Sequence, residues 1–532
     1  MKNPIYVLAY DIGTTGVKTC LFRIDETISL VADAMRGYEL YILPGGGAEQ
    51  DPDEWWSAMC ETTKELFTKT AVTPDRVEGI SFCSQMQGLV LVDKDGVPVH
   101  RAFSYMDQRA TEQLKRIMAY GPQIAGANIK KLLPSLKITG AVSASVKDPA
   151  YKYAWLKDND PDAFSKVYKW LDVKEYLISR MTGEFVMTQD SAFGTLMYDY
   201  KNGCWSEKIA ELLEVNPKHL PRLVKCTDKV GGLTEKAAAD LGLAAGTAVF
   251  GGGGDASLIG VGAGASALGD THIYQGTSGW VGTVVDRSIV DTSAMIAAVV
   301  NSDPGRFNYF AELETAGKCL EWVKDHLALD EIGIYLEKTH VAESKESLYT
   351  SLYDYLTKVI SEVPAGSNGV IFTPWLHGNR CPFEDPNARG MFFNISLDTG
   401  KKDIIRSVVE GVCMHLRWFL ETEDKKVKSS DVVRFVGGGA LSDVTCQILS
   451  DCTGKVIETV ESPQNIGAVG AAVLVAVGLG FLENIEASKP LIPAVKKFNP
   501  NRDNKAVYDK NFEVYKTLYK ANKAAFSALN KQ

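Results

Sequence analysis

Two turns of one design, far apart in the chain, restrict what these 532 residues can fold into. Near the start, the apolar run Ile5 to Ala9 ends in Tyr10-Asp11, followed by Gly13-Thr14-Thr15-Gly16 and a second strand-like run from Val17 to Ile24. Just past the midpoint, Thr271 to Ile273 leads through Tyr274-Gln275 into Gly276-Thr277-Ser278-Gly279 and on into Trp280 to Val285. Strand, glycine-hydroxyl-hydroxyl-glycine turn, strand is a hairpin whose turn offers backbone N–H groups and two hydroxyls to an anion. One such turn reads equally well as a plain hairpin. A matched pair, one near the start of each half, predicts a duplicated domain with phosphates held between the halves. Lys18 adds positive charge beside the first turn, and Asp11 is placed to hold a hydrated Mg²⁺.

Phe250-Gly251-Gly252-Gly253-Gly254-Asp255 lies close to the midpoint. Consecutive glycines let backbone approach a ligand closely, at an entropic cost that a surface turn has no reason to bear. Ala248 to Phe250 reads as a short buried strand, so the Asp255 carboxylate emerges at a strand end, a place suited to a general base. A flexible linker with an incidental aspartate is the alternative. If the glycines mark the junction of the halves, they are also free to act as a hinge. Val77 to Phe82 is another predicted strand, and Gln85-Met86-Gln87-Gly88 follows it before Leu89 to Val92 returns. Amides on such a loop suit a polyol, or else are merely solvated. Asp107-Gln108-Arg109 opens a charged helix, its aspartate either an exposed cap or a second carboxylate near the sugar. Further on, Val432 to Val436 is a strand, Gly437-Gly438-Gly439 a tight turn and Ser442 to Cys452 a helix, a pocket where a nucleotide can lie against backbone. The spacing is not Gly-x-Gly-x-x-Gly, which disfavours a dinucleotide site.

The length suits two substantial domains. A net charge of -9 argues against a nucleic-acid-binding surface, and the longest apolar run, Ile466 to Phe481, is shorter than a bilayer span. The opening residues read as a first strand, too short for a signal-peptide core. None of the ten cysteines forms a Cys-x-x-Cys pair, so reduced thiols in the cytoplasm are expected and a zinc site is not. Asp51-Pro52 caps a helix whose Trp55, Trp56, Met59 and Leu66 belong to a core. Residues 149 to 183 read as helical, with Trp155, Leu156 and Trp170 inside. Lys402 to Leu420 is an amphipathic helix with Arg406 and Glu410 as an i,i+4 pair, and Gly467 to Leu479 is a tightly packed one. The tail from Lys505 puts Tyr508, Phe512, Tyr515, Tyr519, Phe526 and Leu529 on one face, which must dock on the body.

Together these pieces resemble the FGGY carbohydrate kinases over nearly the whole chain, from Tyr10 to about Tyr519. Asp11-Ile-Gly-Thr-Thr-Gly-Val-Lys18 is similar to the family's first phosphate motif, Gly252 to Asp255 to its catalytic Gly-Gly-Gly-Asp, Gly276 to Gly279 to its second phosphate turn, and Gly437 to Gly439 to its adenosine-side glycines. Lys152-Tyr-Ala-Trp-Leu156, Asn387 to Phe393 and Arg406 to Gly411 are similar as well. The xylulokinase branch looks nearest, since Gln85-Met-Gln-Gly88 stands where those enzymes carry Gln-Met-His-Gly. Gln87 still donates and accepts, but it cannot titrate near neutral pH.

The resemblance implies an actin-like, ribonuclease-H-type α/β fold of two domains, each with a mixed five-stranded sheet, and a cleft between them. Residues 1–252 would form the sugar side, 253–485 the ATP side and 486–532 a C-terminal helical extension. It implies ATP and Mg²⁺ as cofactors, Asp255 as base and Asp11 on Mg²⁺ through water. Gly13, Thr14, Thr15, Lys18, Gly276, Thr277 and Ser278 would hold phosphates, and Gly438, Gly439 and Ser442 the adenosine side. Gln85, Met86, Gln87 and Asp107, with Asp255, would contact a small sugar or polyol. Sister kinases acting on ribulose, erythritol, glycerol or another polyol remain open, as does an actin- or Hsp70-like ATPase that only switches conformation. No nucleic-acid or membrane partner is expected, and a homodimer is left open.

Overall fold

Apolar residues on both faces make Ile5–Ile12 (β1) a buried central strand. It pairs antiparallel with Gly16–Ile24 (β2), which pairs antiparallel with Ile28–Gly37 (β3). On its other side β1 runs parallel to Val77–Ser84 (β4). Lys229–Gly232 (β5) and Ala248–Phe250 (β6) complete the order β5-β6-β4-β1-β2-β3, and the two-residue strand Gly253–Gly254 (β7) also lies on β4. The helix Pro52–Thr68 (α1) starts as its sequence predicts, with Asp51 accepting from the Asp53 N–H at 3.0 Å. Its Trp55, Trp56, Met59 and Leu66 enter the core formed with Leu8, Tyr10, Leu21 and Phe82.

The computed structural model describes residues 3–124, 126–327 and 358–531. It divides into two units, Met1–Gly264 with Val299–Phe307 and Gly467–Ile492, and Ala265–Ala298 with Asn308–Ile466 and Pro493–Gln532. Residues 149 to 183 are less uniform than their pattern suggests. After Pro149–Asn159 and the short helix Pro161–Phe164, Trp170 falls on a strand opposite Leu91, and only then do Val173–Thr182 (α2) and, later, Gln189–Gly194 (α3) form. Nor does the first unit stop at 252. It keeps the helix Asp255–Gly262 (α4) and takes back chain from Gly467, because Gly467 lies against Cys83 and Asp11 and Val475 against Gly79, inside the first sheet's layer.

The second unit repeats the frame. Thr271–Gln275 (β8) and Gly279–Val285 (β9) form its hairpin, Val290–Asp291 (β10), Ile296–Val300 (β11) and Phe307–Leu313 (β12) lie beyond β9, and Val432–Val436 (β13), Val456–Thr459 (β14) and Lys496–Phe498 (β15) lie beyond β8. The five strands β12-β9-β8-β13-β14 repeat the order β3-β2-β1-β4-β6, and in both units the first hairpin strand runs parallel to its inner neighbour. The expected five-stranded core is present twice, and further strands extend each sheet. Gly317–His326 (α5), Lys401–Glu423 (α6) and Asp443–Thr453 (α7) belong here, whereas Ile466–Gly478 (α8) passes to the first unit from Gly467. Lys505–Asn530 (α9) docks on α6: Arg406 pairs with Glu410 at 2.7 Å, and the Tyr508 hydroxyl donates to the same carboxylate at 2.9 Å. Tyr508, Phe512 and Tyr515 are fully buried, but Leu529 is 82% exposed, because the last turn runs past the docked face.

Candidate active site

Strand register assembles the acidic part of the first unit's site. Asp11 on β1 and Gly253 on β7 both lie opposite Cys83 on β4, so three neighbouring strand ends carry Asp11, Cys83 and the glycine two residues before Asp255. Asp255 opens α4 and accepts from the Ala256 N–H at 2.8 Å. Lys18 lies opposite Asp11 in the β1–β2 register. Burial raises the Asp11 carboxyl above its ordinary value, and the Lys18 charge works against that shift. The Cys83 thiol is pushed well above its usual value by burial and then by the charges of Asp11 and Asp255. An uncharged thiol therefore separates two carboxylates.

The glycines before Asp255 are packed, not hinged. Gly252 has φ +70°, which favours glycine, and a side chain at Gly254 would collide with Met86. They lie inside the first unit, which runs on to Gly264. Their use is close approach: with no Cβ at Gly254, the polar loop after β4 can settle directly on the turn that carries Asp255.

That loop is held from behind by buried charges. Gln87 has φ +61°, a region non-glycine residues seldom adopt. Its N–H donates to Asp172 Oδ2 at 2.9 Å, its side-chain amide to the Gly194 carbonyl at 3.4 Å, and Lys152 Nζ donates to its carbonyl at 3.4 Å and to that of Ser104 at 2.8 Å. Burial lowers Lys152 to about 8, against the pull of Asp107, Asp148 and Asp172. Gln85 is tied to the Gly13–Gly16 turn through Gln50, which donates to the Thr14 carbonyl at 2.7 Å and accepts from Gln85 Nε2 at 3.0 Å. A carbonyl can only accept, so the order of both amides is set, and Gln85 Oε1 is left as a buried acceptor without a partner. Asp107 is nearly fully buried and its oxygens accept from the Ala48 N–H, the Arg109 N–H and the Arg109 guanidinium. It braces strand 47–50, whereas the sequence offered it as a sugar contact. Gln50 and Asp172 carried no motif by which sequence reasoning could find them as supports, and Lys152 stood in a family-like stretch with no role attached to it. Each acts through a backbone atom of a distant loop.

The two glycine-hydroxyl-hydroxyl-glycine turns are finished differently. The first is clamped by Tyr38, whose hydroxyl donates to the Gly16 carbonyl at 3.0 Å and whose N–H donates to Thr15 at 3.1 Å. The second is clamped by the start of α5, with the Gly317 N–H on Gly276 O at 2.9 Å and the Ala316 N–H on Thr277 O at 3.1 Å. Thr15 and Thr277 are exposed and Thr14 and Ser278 half-buried, so hydroxyls of both turns reach solvent. In the second unit Gln275 packs on Gly439, and Ser442 caps α7 through the Thr445 N–H at 3.2 Å.

The fold defines a two-domain, actin-like phosphotransferase with a glycine-hydroxyl-hydroxyl-glycine turn in each half. The model of the FGGY family of carbohydrate kinases, N-terminal domain, matches residues 6–262, and that of its C-terminal domain residues 272–479. The chain belongs to the FGGY family and is a carbohydrate kinase. It is 28% identical to the xylulose kinase of Bacillus subtilis over 98% of each chain, and 28% identical to that organism's gluconokinase over 94% of this chain and 93% of the relative. The solved xylulose kinase of Lactobacillus acidophilus superposes with a TM-score of 0.82 at 26% identity, covering 98% of this chain and 99% of the other. Among the described residues no helix is long and apolar enough to cross a membrane.

Proposed function

We propose that this kinase transfers the γ-phosphoryl group of ATP to a hydroxyl of a small ketose or polyol, with a ketopentose of the xylulose type as acceptor and Asp255 as general base. The observation that carries the reading is the seating of Met86 on Gly254, which brings the Gln85–Gln87 loop beside the turn that carries the Asp255 carboxylate. An ATPase that only switches conformation also has a proton to take, from its attacking water, but it has no use for a polar acceptor loop beside that carboxylate. The acceptor oxygen attacks the γ-phosphorus, the bond to the β–γ bridging oxygen breaks, ADP departs, and the hydroxyl proton passes to Asp255. Such a transfer leaves the protein mainly positioning and charge stabilisation to supply. Thr14, Thr15 and Lys18, with the backbone at Gly13, are assigned to the phosphates, together with Gly276, Thr277 and Ser278. Gly438, Gly439 and the N-terminus of α7 at Ser442 are assigned to the adenosine side.

Among the described residues no cluster of three or more His, Cys, Asp or Glu is arranged to hold a metal ion. That fits a Mg²⁺ which arrives with the nucleotide and keeps most of its water, needing only one or two carboxylates. Asp11 would hold it through water, and the ion would offset phosphate charge. Gln85, Met86 and Gln87 are assigned to the sugar, with Asp107 behind them. The xylulose kinases among its relatives support the acceptor class. ADP release measured with xylulose, ribulose, erythritol, glycerol and gluconate, with the product identified, tests the reading. Xylulose is expected to give the highest kcat/KM. ATP hydrolysis at one rate with or without every acceptor would sink the kinase reading, and a preference for gluconate would replace the ketopentose.

A further inference from the structure

We propose that Asp190 is a positioning residue for phosphoryl transfer: buried on α3, it fixes the turn that carries Asp255 and acts through that residue alone. The proposal rests on Asp255 being the base. Asp190 is fully buried. Its Oδ2 accepts from the Gly254 N–H at 2.7 Å and from the Ser257 hydroxyl at 2.5 Å. These two donors flank Asp255 along the chain, one residue before and two after. Anchoring both sides of one residue to a single oxygen fixes its backbone, and with it the direction in which its carboxylate leaves α4.

The other oxygen is held just as firmly. Asp190 Oδ1 accepts from Thr188 Oγ1 at 2.5 Å and from the Ser191 N–H at 2.9 Å, and Lys174 Nζ lies 3.9 Å away. Lys174 is itself fully buried and donates to Thr188 Oγ1 at 2.8 Å, to Ser191 Oγ and to Glu175. Burial by itself would raise the Asp190 carboxyl, yet the Lys174 charge and the bonds from Ser257, Thr188 and Gly254 outweigh it and hold the group below its ordinary value. A charged carboxylate can accept on both oxygens. An asparagine cannot, since its NH₂ would have to face either the Gly254 and Ser257 donors or the Thr188, Ser191 and Lys174 donors.

The proposal predicts a split in the kinetic constants. Asp190→Asn should lower kcat about ten- to a hundredfold, the size of loss expected from a small misplacement of a reacting group. KM for ATP should stay within about twofold, because no group holding the nucleotide is touched. The deciding measurement is a double-mutant cycle. In the Asp255→Asn background, Asp190→Asn should leave the residual rate unchanged, since nothing remains to be positioned. Equal fold losses in the two backgrounds would overturn the proposal, and so would a folded Asp190→Asn enzyme with wild-type kcat. If that variant does not fold, Ser257→Ala takes its place and should lower kcat several-fold at unchanged KM for ATP; a wild-type kcat would again count against the proposal. Failure of the underlying reading shows separately, as high activity in Asp255→Asn alone.

Discussion

The two halves of the chain use one frame and end it differently. In each, a hairpin with a glycine-hydroxyl-hydroxyl-glycine turn has its first strand paired parallel to an inner neighbour, β1 to β4 and β8 to β13. Beyond that neighbour the halves diverge. β4 gives way to Gln85-Met86-Gln87, amides that can tell hydroxyl positions apart, whereas β13 gives way to Gly437-Gly438-Gly439 and a helix N-terminus, bare backbone suited to a large ligand with phosphates. The first half then adds Asp255, on the Gly254–Asp255 turn, whereas the acidic residue that opens α7 in the second half, Asp443, is paired with Lys496 at 2.7 Å. On the proposed function, the duplicated frame would supply anion sites in pairs, and chemistry and selectivity would be set by the loop that leaves the parallel strand.

The sharpest way to break this comparison is to remove its one-sided element. Asp255→Asn should keep the fold and the affinity for ATP while costing roughly two to four orders of magnitude in kcat, the usual worth of a general base. More than a tenth of the wild-type rate in the purified variant would take Asp255 out of that role.

Two buried titratable groups, one in each unit, should feel acid with opposite sign. In the second unit burial lowers His415 to about 4, while its ring holds α9 through the Tyr515 hydroxyl at 2.7 Å and faces the Cys381 carbonyl at 2.9 Å. Between about pH 6.5 and 4 the unfolded chain binds the proton that folded His415 refuses. Its contribution is therefore full above pH 6.5 and falls as the pH drops, by about 1.4 kcal/mol per unit. In the first unit burial raises Asp148 to about 6, so the folded state holds a proton that the unfolded chain has lost, and stability there rises as the pH falls from 6 toward 4. Hydrogen exchange along α9 and around Ser143–Tyr151, in the wild type against His415→Gln and Asp148→Asn, reads each slope locally. Slopes of the same sign at both places would contradict the assignment.

The smaller effects test whether the loops really divide the work. Thr277→Ala removes a hydroxyl from the second turn and should raise KM for ATP by about five- to tenfold, the worth of about one hydrogen bond, while leaving the ranking of sugars alone. Gln87→His should do the reverse, shifting the ranking of ketoses and polyols by about fivefold at constant KM for ATP. An unchanged ranking would remove Gln87 from the sugar surface, and a changed ranking in Thr277→Ala would undo the division itself.

The sequence by itself determined the repeated frame and its endpoints. Strand and helix periodicity is local, so β1, β4, β13, α1 and α7 could be placed to within a residue or two, and both turns declare themselves by glycine and hydroxyl spacing. Family motifs named Asp11, Asp255 and the three loops for the same reason, each being a short contiguous string. What only the tertiary structure decided is everything carried by residues distant in sequence. The glycines before Asp255 read both as a place of close approach to a ligand and as a hinge, because local spacing cannot distinguish freedom from close contact; Met86, far away in the chain, turns Gly254 into a contact. The return of Gly467–Ile492 to the first unit, and Asp107 turned to the Ala48 N–H, have the same origin. So has the buried set of Gln50, Lys152, Asp172, Lys174 and Asp190 behind the site. Burial of a charge depends on partners brought by other strands and helices, and no local pattern records which partners will come.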